Sequence, residues 1–500
     1  MKFLLRIGFL LLVFLNLILA SWFVLHQDIT FSADIARDFH LLREVDQKKL
    51  VLIGPRSSTG LFHGPLWLYL NYPAYLVGHG DPVVVGWFWI LLVAAFVVES
   101  FLVARALFSP ATGYLFALAS SLYMVFHAHG MFNPHGAMLL IPLVFFFFVR
   151  YWQTDKLRYL CLHWILVGAV VQFQMAIGIP FLLLSLIAVL FRSLQKKNYK
   201  PFLLLPLVVL MFGNFIVFDL RHNFLLAHIL ADFLSPIQKG LPYNYALNIA
   251  ERFRLMVSSV EILRVDPGYR NFFLTMILLV LIALQIRAKK FTTVYWSFLY
   301  FYIGFFVLSI IDKGPLLYFY LFPLFPLVFL IFASMVTSKK RILFLVLFFS
   351  LYVMNTQTAI KDIHMSDTII DRSIYSWKFL YALARDLYKE APPTFGYFVY
   401  SPDVFAYEAK YAIRYAGQLS TKQGASFTKA PTTYLVIAPP PPDNPYMKDE
   451  WWRINQVKIG ISPSTTVSYP NGYKVETYHL SAKDISVAFD PAIDPGIHFR

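Results

Sequence analysis

The sequence predicts an all-α polytopic membrane protein, with about 11 transmembrane helices and a small α/β domain at its C-terminal end. Three observations lead there. Apolar residues fill 58% of the 500 positions and charged ones 14%, with 50 Phe and 30 Tyr, far too apolar for a water-soluble globular chain. Apolar runs fall at about 4–25, 83–105, 110–127, 134–150, 158–173, 175–192, 201–219, 271–287, 293–311, 316–336 and 341–357, and a crossing takes roughly 20 such residues. Beyond about residue 358 these runs stop, charges return, and prolines cluster in APPPPDNP, 438–445.

The first run, KFLLRIGFLLLVFLNLILASWFVL, opens with basic residues as a signal peptide does, yet it is long enough to span, so it reads as a retained signal anchor. Between the fifth and sixth runs a polar turn at Gln172 and Gln174 must separate two short helices, because a single span over this stretch would be too long. The basic clusters support that count. With eleven spans and the N-terminus inside, Arg150/Lys156/Arg158, Arg192/Lys196/Lys197/Lys200, Arg287/Lys289/Lys290 and Lys339/Lys340/Arg341 all face the cytoplasm. Residues 26–82, 127–135, 220–270, 312–315 and those after 358 then lie outside a plasma membrane. The expected division is a membrane domain over 1–358, carrying a first extracytoplasmic loop at 26–82, and an extracytoplasmic α/β domain over 359–500.

In the second domain DRSIYSWKFLYALARDLYKE and VFAYEAKYAIRYAG have helical periodicity, while FGYFVY and TTYLVIA read as buried strands. A single cysteine, Cys161, excludes an intrachain disulfide and a cysteine-only metal cluster. The net charge of +15 fits cytoplasmic loop ends and anionic headgroups in so apolar a chain, and nucleic acid is not expected as a partner.

The polar chemistry gathers in the outer loops. In ITFSADIARDFHLLREV, residues 29–45, a helix would place Ile35, Phe39, Leu41, Leu42 and Val45 on one side and Arg37, His40, Arg43, Glu44 and Gln47 on the other. Asp34 and Asp38 fall inside the apolar arc, where a carboxylate is costly unless it is paired, bonded or protonated. Such a position can tune a general base or bring two oxygens to one cation. The structural alternative is a helix over a polar cleft, with Asp34 satisfied by Arg37 and Asp38 by a loop amide. In IGPRSSTGLFHGPLWLYLNYP, residues 53–73, Gly54-Pro55 and Gly64-Pro65 punctuate turns, Ser57, Ser58 and Thr59 supply hydroxyls, and Arg56 supplies a fixed charge suited to a phosphate. The same residues would also make a headgroup-anchoring loop with an interfacial aromatic helix. His127, His129 and His135 lack zinc spacing. Asp219, Arg221 and His222 end the seventh run, either snorkelling to water or binding a phosphate.

The order of these motifs resembles the GT-C glycosyltransferases, in particular bacterial proteins similar to dolichyl-phosphate-mannose protein mannosyltransferases and the lipid A aminoarabinose transferase. The likeness rests on ADIARD (33–38), the GP-S-T-G-FHGPLW-YL-P run (54–73), Gly80-Asp81-Pro82 before the second span, Phe132-Asn133-Pro134 before the fourth, Gln172 after the fifth, and Asp219 to His222 after the seventh. It implies transfer of a sugar from a polyprenyl-phosphate carrier to a glycan, lipid or protein acceptor on the outer face, with inversion. Asp34 matches the acidic residue of the family's first loop, the activator of the acceptor hydroxyl. Many relatives carry two adjacent acidic residues there; here Ile35 follows Asp34, and Asp38 would take the second role one helical turn on. The chemistry needs groups that stabilise a leaving phosphate, for which Arg56, His63, Arg221 and His222 are the candidates. A divalent metal ion, held by Asp34 and Asp38 if any residues hold one, could assist departure. A polymerase or ligase using polyprenyl-diphosphate-linked glycan, a transporter or flippase, and a noncatalytic envelope scaffold stay open; the scarcity of charges inside the spans and the lack of internal repeats speak against the transporter.

Overall fold

The computed structural model describes residues 2–57, 60–234, 244–258, 276, 280, 283, 292–311, 316–337, 341–369, 373–403, 405–420, 424–441 and 448–493. Apolar helices stand on ten of the eleven runs; the run at 271–287 lies outside the described residues apart from 276, 280 and 283. Five of these helices are long and apolar enough to cross a membrane by length and composition, and a sixth is if Lys200–Met211 and Gly213–Arg221 count as one span. The helices Arg6–Ala20, Leu157–Phe173 and Thr293–Ser309 are apolar but shorter. The polar turn expected at Gln172 and Gln174 is present: one helix ends at Phe173, and Gln174 caps the next by accepting from the Ala176 N–H at 3.4 Å.

The chain divides into two compact units, one of residues 1–21, 50–70 and 88–362, the other of 22–49, 71–87 and 363–500. This division takes the helix Ala33–Lys48 with the C-terminal residues, and the helix Arg341–Ile369 runs straight through the composition change at 358.

In the first unit the run at 201–219 is not one straight helix. It breaks at Phe212 and bends by 48°, and a break of this kind frees carbonyls that need new donors. The Gln172 side chain supplies one, its Nε2 donating to the Met211 carbonyl at 2.8 Å and to Asn214 Oδ1 at 2.7 Å. Close helix contacts depend on glycine: a Cβ on Gly178 would lie 2.5 Å from the Val171 Cα, and one on Gly136 2.6 Å from the Phe173 ring.

The second unit contains a five-stranded sheet of order β2-β1-β3-β5-β4, with β1 Phe395–Tyr400, β2 Ala425–Ser426, β3 Thr432–Ile437, β4 Thr465–Ser468 and β5 Lys474–His479. β1 pairs in parallel with β2 and β3, and β5 is antiparallel to β3 and β4. The two strands read from the sequence are β1 and β3, both almost wholly buried. The β4–β5 hairpin was not read, although its turn carries Asn471-Gly472 with Gly472 at φ 90°, a strong hairpin signal. The helices Trp377–Glu390 and Tyr407–Leu419 fall where periodicity placed them.

Residues 28–31 join this unit through a short antiparallel bridge outside the sheet. Thr30 bridges Ser376, Phe31 N–H donates to the Tyr375 carbonyl, and Trp377 N–H donates to the Ile29 carbonyl. Asp28 is buried here and accepts from the N–H groups of Ile29 and Lys378 and from the Ser376 hydroxyl. Burial pushes its carboxyl up to about 6, against the pull of those three donors.

Candidate active site

The acidic helix Ala33–Lys48 belongs to the second unit. Its apolar arc is buried as expected at Ile35, Phe39, Leu41, Leu42 and Val45. Arg37 departs from the expected polar side. Its guanidinium is largely covered and forks between both carboxylates, reaching Asp34 Oδ1 at 2.6 Å and Asp38 Oδ1 at 3.0 and 3.2 Å. Burial opposes the Arg37 charge, and the Asp38 and Asp34 carboxylates outweigh it, holding the guanidinium above its ordinary pKa. The Arg37–Asp34 pair of the structural alternative is therefore present, and the same arginine, not a loop amide alone, serves Asp38.

The two aspartates are not equivalent. The Asp38 side chain is 5% exposed and Asp34 48%. Asp38 is a buried counter-charge that anchors Arg37, whereas Asp34 presents a half-exposed carboxylate. A divalent cation shared by the pair would need the position that the guanidinium fills, against its charge, so Asp34 and Asp38 do not fit a metal. Among the described residues no group of three or more His, Cys, Asp or Glu is gathered as metal ligands.

The four phosphate-binding candidates all lie in the first unit. Residues 54–57 and 60–63 pair as two antiparallel arms: Gly54 N–H donates to the His63 carbonyl, His63 N–H to the Pro55 carbonyl, and Arg56 bridges Phe62. Gly54 is needed because a Cβ there would lie 2.2 Å from the Gly64 carbonyl oxygen. Arg56 is exposed, lies over the Phe62 ring at 5.7 Å and donates to the Gly60 carbonyl. Phe62 contacts Phe218, and Phe218 stacks on the His222 ring at 4.2 Å, so Arg56 and His222 flank one aromatic row. His63 is buried. Asp219 is turned to the backbone, accepting from Leu226 and Ala227 N–H, which leaves exposed Arg221 as the cation of this corner. Ser57 bonds the Leu61 carbonyl; Ser58 and Thr59 lie outside the described residues.

The scattered motifs of this unit meet at the end of the helix Leu157–Phe173. Gly64 N–H donates to the Gln172 carbonyl, Asn133 Nδ2 to the Phe173 carbonyl, and Asn214 Nδ2 to the Leu52 carbonyl. A Cβ on Gly64 would fall 1.6 Å from Gln172 Oε1. His135 and His127 are a hydrogen-bonded pair at 3.2 Å: Phe132 N–H donates to His135 Nδ1, so Nε2 carries the proton that His127 Nδ1 accepts.

No family model and no curated protein matches the chain. Among solved structures, ArnT from Cupriavidus metallidurans bound to undecaprenyl phosphate aligns with 13% identity and a TM-score of 0.60, over 95% of this chain and 98% of that one. The fold is that of ArnT. The apo state of the same protein aligns with 11% identity and a TM-score of 0.60, over 94% and 97% of the two chains. ArnT is a lipid A aminoarabinose transferase of the GT-C class, the group the loop motifs resemble.

Within this ArnT fold one carboxyl escaped the sequence reading. Glu408 is 6% exposed on the helix Tyr407–Leu419 and lies in the field of Asp34. Burial pushes it up to about 7, the charges of Asp403 and Asp34 add to the rise, and its own backbone N–H opposes it. The signal was available: Glu408 shares a helical stripe with Tyr411, Ala412 and Tyr415, the same acid-in-apolar pattern that marked Asp34 and Asp38.

Proposed function

We propose that this chain is an inverting glycosyltransferase that moves a sugar from a polyprenyl-phosphate carrier to an acceptor on the extracytoplasmic side of a plasma membrane, with its N-terminus inside. The observation that carries the reading is Asp34: a half-exposed carboxylate, one oxygen fixed by an arginine that a buried aspartate anchors, in a chain with the fold of a protein crystallised with undecaprenyl phosphate.

In this reading the acceptor hydroxyl attacks the anomeric carbon from the face opposite the phosphate. Asp34 takes the hydroxyl proton as the new C–O bond forms and the bond to the phosphate oxygen breaks. Arg37 holds Asp34 in one orientation and Asp38 holds Arg37, so neither needs to touch substrate. The leaving phosphate gains negative charge, a role that the exposed guanidinium groups of Arg56 and Arg221 suit; His63 is buried and His222 Nδ1 already donates to the Phe218 carbonyl, so neither ring is assigned to it.

The test is transfer by purified protein in lipid nanodiscs, offering radiolabelled polyprenyl-phosphate sugars and polyprenyl-diphosphate glycans with a membrane extract as acceptor. Label passing from the monophosphate donors with inverted anomeric configuration supports the proposal. Transfer from diphosphate donors alone, or none with donor binding also absent, rejects it.

A further inference from the structure

A second polar cluster in the second unit is unused by the transfer chemistry. It lies where the helix Ala33–Lys48 meets the helix Tyr407–Leu419. His40 points its Nε2 at the Tyr407 carbonyl, 3.0 Å away. A carbonyl only accepts, so Nε2 carries the ring proton, and Nδ1 accepts from the Arg414 guanidinium at 3.2 Å. A neutral histidine thereby aims a charged arginine; burial first, then Arg414, Lys410 and Arg43, lower the His40 pKa to about 3, which keeps the ring neutral.

Arg43, one turn beyond His40, lies within electrostatic range of Arg414. After burial, that like charge is the largest influence lowering its pKa, and its other main neighbours are the hydroxyls of Tyr75, Tyr411 and Tyr397. Among the described residues no carboxylate pairs with Arg43 or Arg414. The nearest acids along the helix are engaged elsewhere, Glu44 with Lys48 at 2.5 Å and Asp46 with Lys49 at 2.8 Å. Arg414 is exposed and Arg43 half-buried, so both can be reached from solvent. The wall behind them is rigid: Tyr411 donates to the Gly80 carbonyl at 2.7 Å and meets the His40 ring edge-on at 5.3 Å.

Arg43 and Arg414 both neighbour His40, the first a helical turn away on the same helix and the second bonded to its ring, and two like charges so placed, neither in an ion pair among the described residues, raise the energy of the empty protein. We propose that Arg43 and Arg414, aimed by His40, bind a phosphate monoester, carried either by a lipid headgroup or by a soluble molecule. The charge count selects this class: a monoester is close to a dianion at neutral pH and matches two guanidinium groups, each able to fork two oxygens, whereas a carboxylate neutralises one. The inference does not rest on the transfer reading.

The experiment uses the full chain with Arg56→Ala and Arg221→Ala, so that phosphate held by those residues does not mask the result, in phosphatidylcholine nanodiscs. Inorganic phosphate is titrated calorimetrically, and unfolding temperature is compared with nanodiscs containing phosphatidic acid. Inorganic phosphate binding that weakens tenfold or more in Arg43→Gln and in Arg414→Gln supports a soluble phosphate ester. No such binding, with phosphatidic acid stabilising the parent but neither variant, supports a lipid headgroup. Binding or stabilisation that neither substitution changes, or none in the parent, overturns the proposal. Without anion both variants should fold; a variant that fails to fold also overturns it, by showing the arginine to be structural.

Discussion

Replacing Arg37 by Leu separates the roles of the two aspartates. The guanidinium makes two contacts to Asp38, whose side chain is 5% exposed, and one to Asp34, whose side chain is 48% exposed. Removing one partner of a buried charge pair costs about 3–5 kcal/mol, because the remaining charge stays desolvated. A half-exposed pair is worth about 1 kcal/mol or less, since water replaces the lost partner. Arg37→Leu should therefore destabilise the second unit by about 3–5 kcal/mol, nearly all of it through Asp38. Denaturant titration in mixed detergent micelles on the two double-mutant cycles reads this directly. The Arg37/Asp38 coupling should be about 3–4 kcal/mol, and the Arg37/Asp34 coupling below about 1 kcal/mol. An Arg37/Asp34 coupling as large as the other would refute the assignment of Asp38 as anchor and Asp34 as the available carboxylate.

Arg56→Ala and Arg221→Ala should each raise the KM for lipid-phosphate donor about tenfold, one charged hydrogen bond's worth; unchanged donor kinetics would remove that arginine from the site. Gln172→Ala should lower stability by about 1–3 kcal/mol, because the Met211 carbonyl and Asn214 lose their shared donor at the helix break; an unchanged unfolding midpoint would show the clamp to be idle. The folded Asp28 carboxyl titrates at about 6 against an ordinary 3.8, so between those values the native chain keeps a proton that the unfolded chain has lost. Stability therefore falls as pH rises through that window, by about 3 kcal/mol in all. Asp28→Asn should flatten this slope in unfolding midpoints measured from pH 4 to 7, and an unaltered slope would contradict the burial argument.

Helix positions were legible because apolar runs and their polar breaks are local signals: the turn at Gln172 and Gln174 falls where the sequence placed it, and the helix on the fourth run starts at Asn133, one residue before the expected 134. The bend at Phe212 was not legible, since Pro201, Pro206 and Gly213 punctuate a run that stays apolar on both sides, and the donor that makes a break affordable lies on another helix. Arg37 was misplaced for a related reason. A helical wheel fixes where a Cα points, but a long guanidinium reaches sideways to carboxylates at i−3 and i+1. Asp34 and Asp38 stood out by residue type alone; their inequality did not, because burial of Asp38 comes from packing within the folded unit. Glu408 carries the same local signal, an acid on the apolar stripe of the helix Tyr407–Leu419.

The most direct measurement is single-turnover transfer from a radiolabelled polyprenyl-phosphate sugar by wild type, Asp34→Asn and Asp38→Asn, each shown to be folded in nanodiscs. If Asp34 is the general base, Asp34→Asn slows transfer by about 10²–10⁴-fold with donor binding intact, while Asp38→Asn loses stability first and rate less. Transfer at the wild-type rate by folded Asp34→Asn would contradict the account.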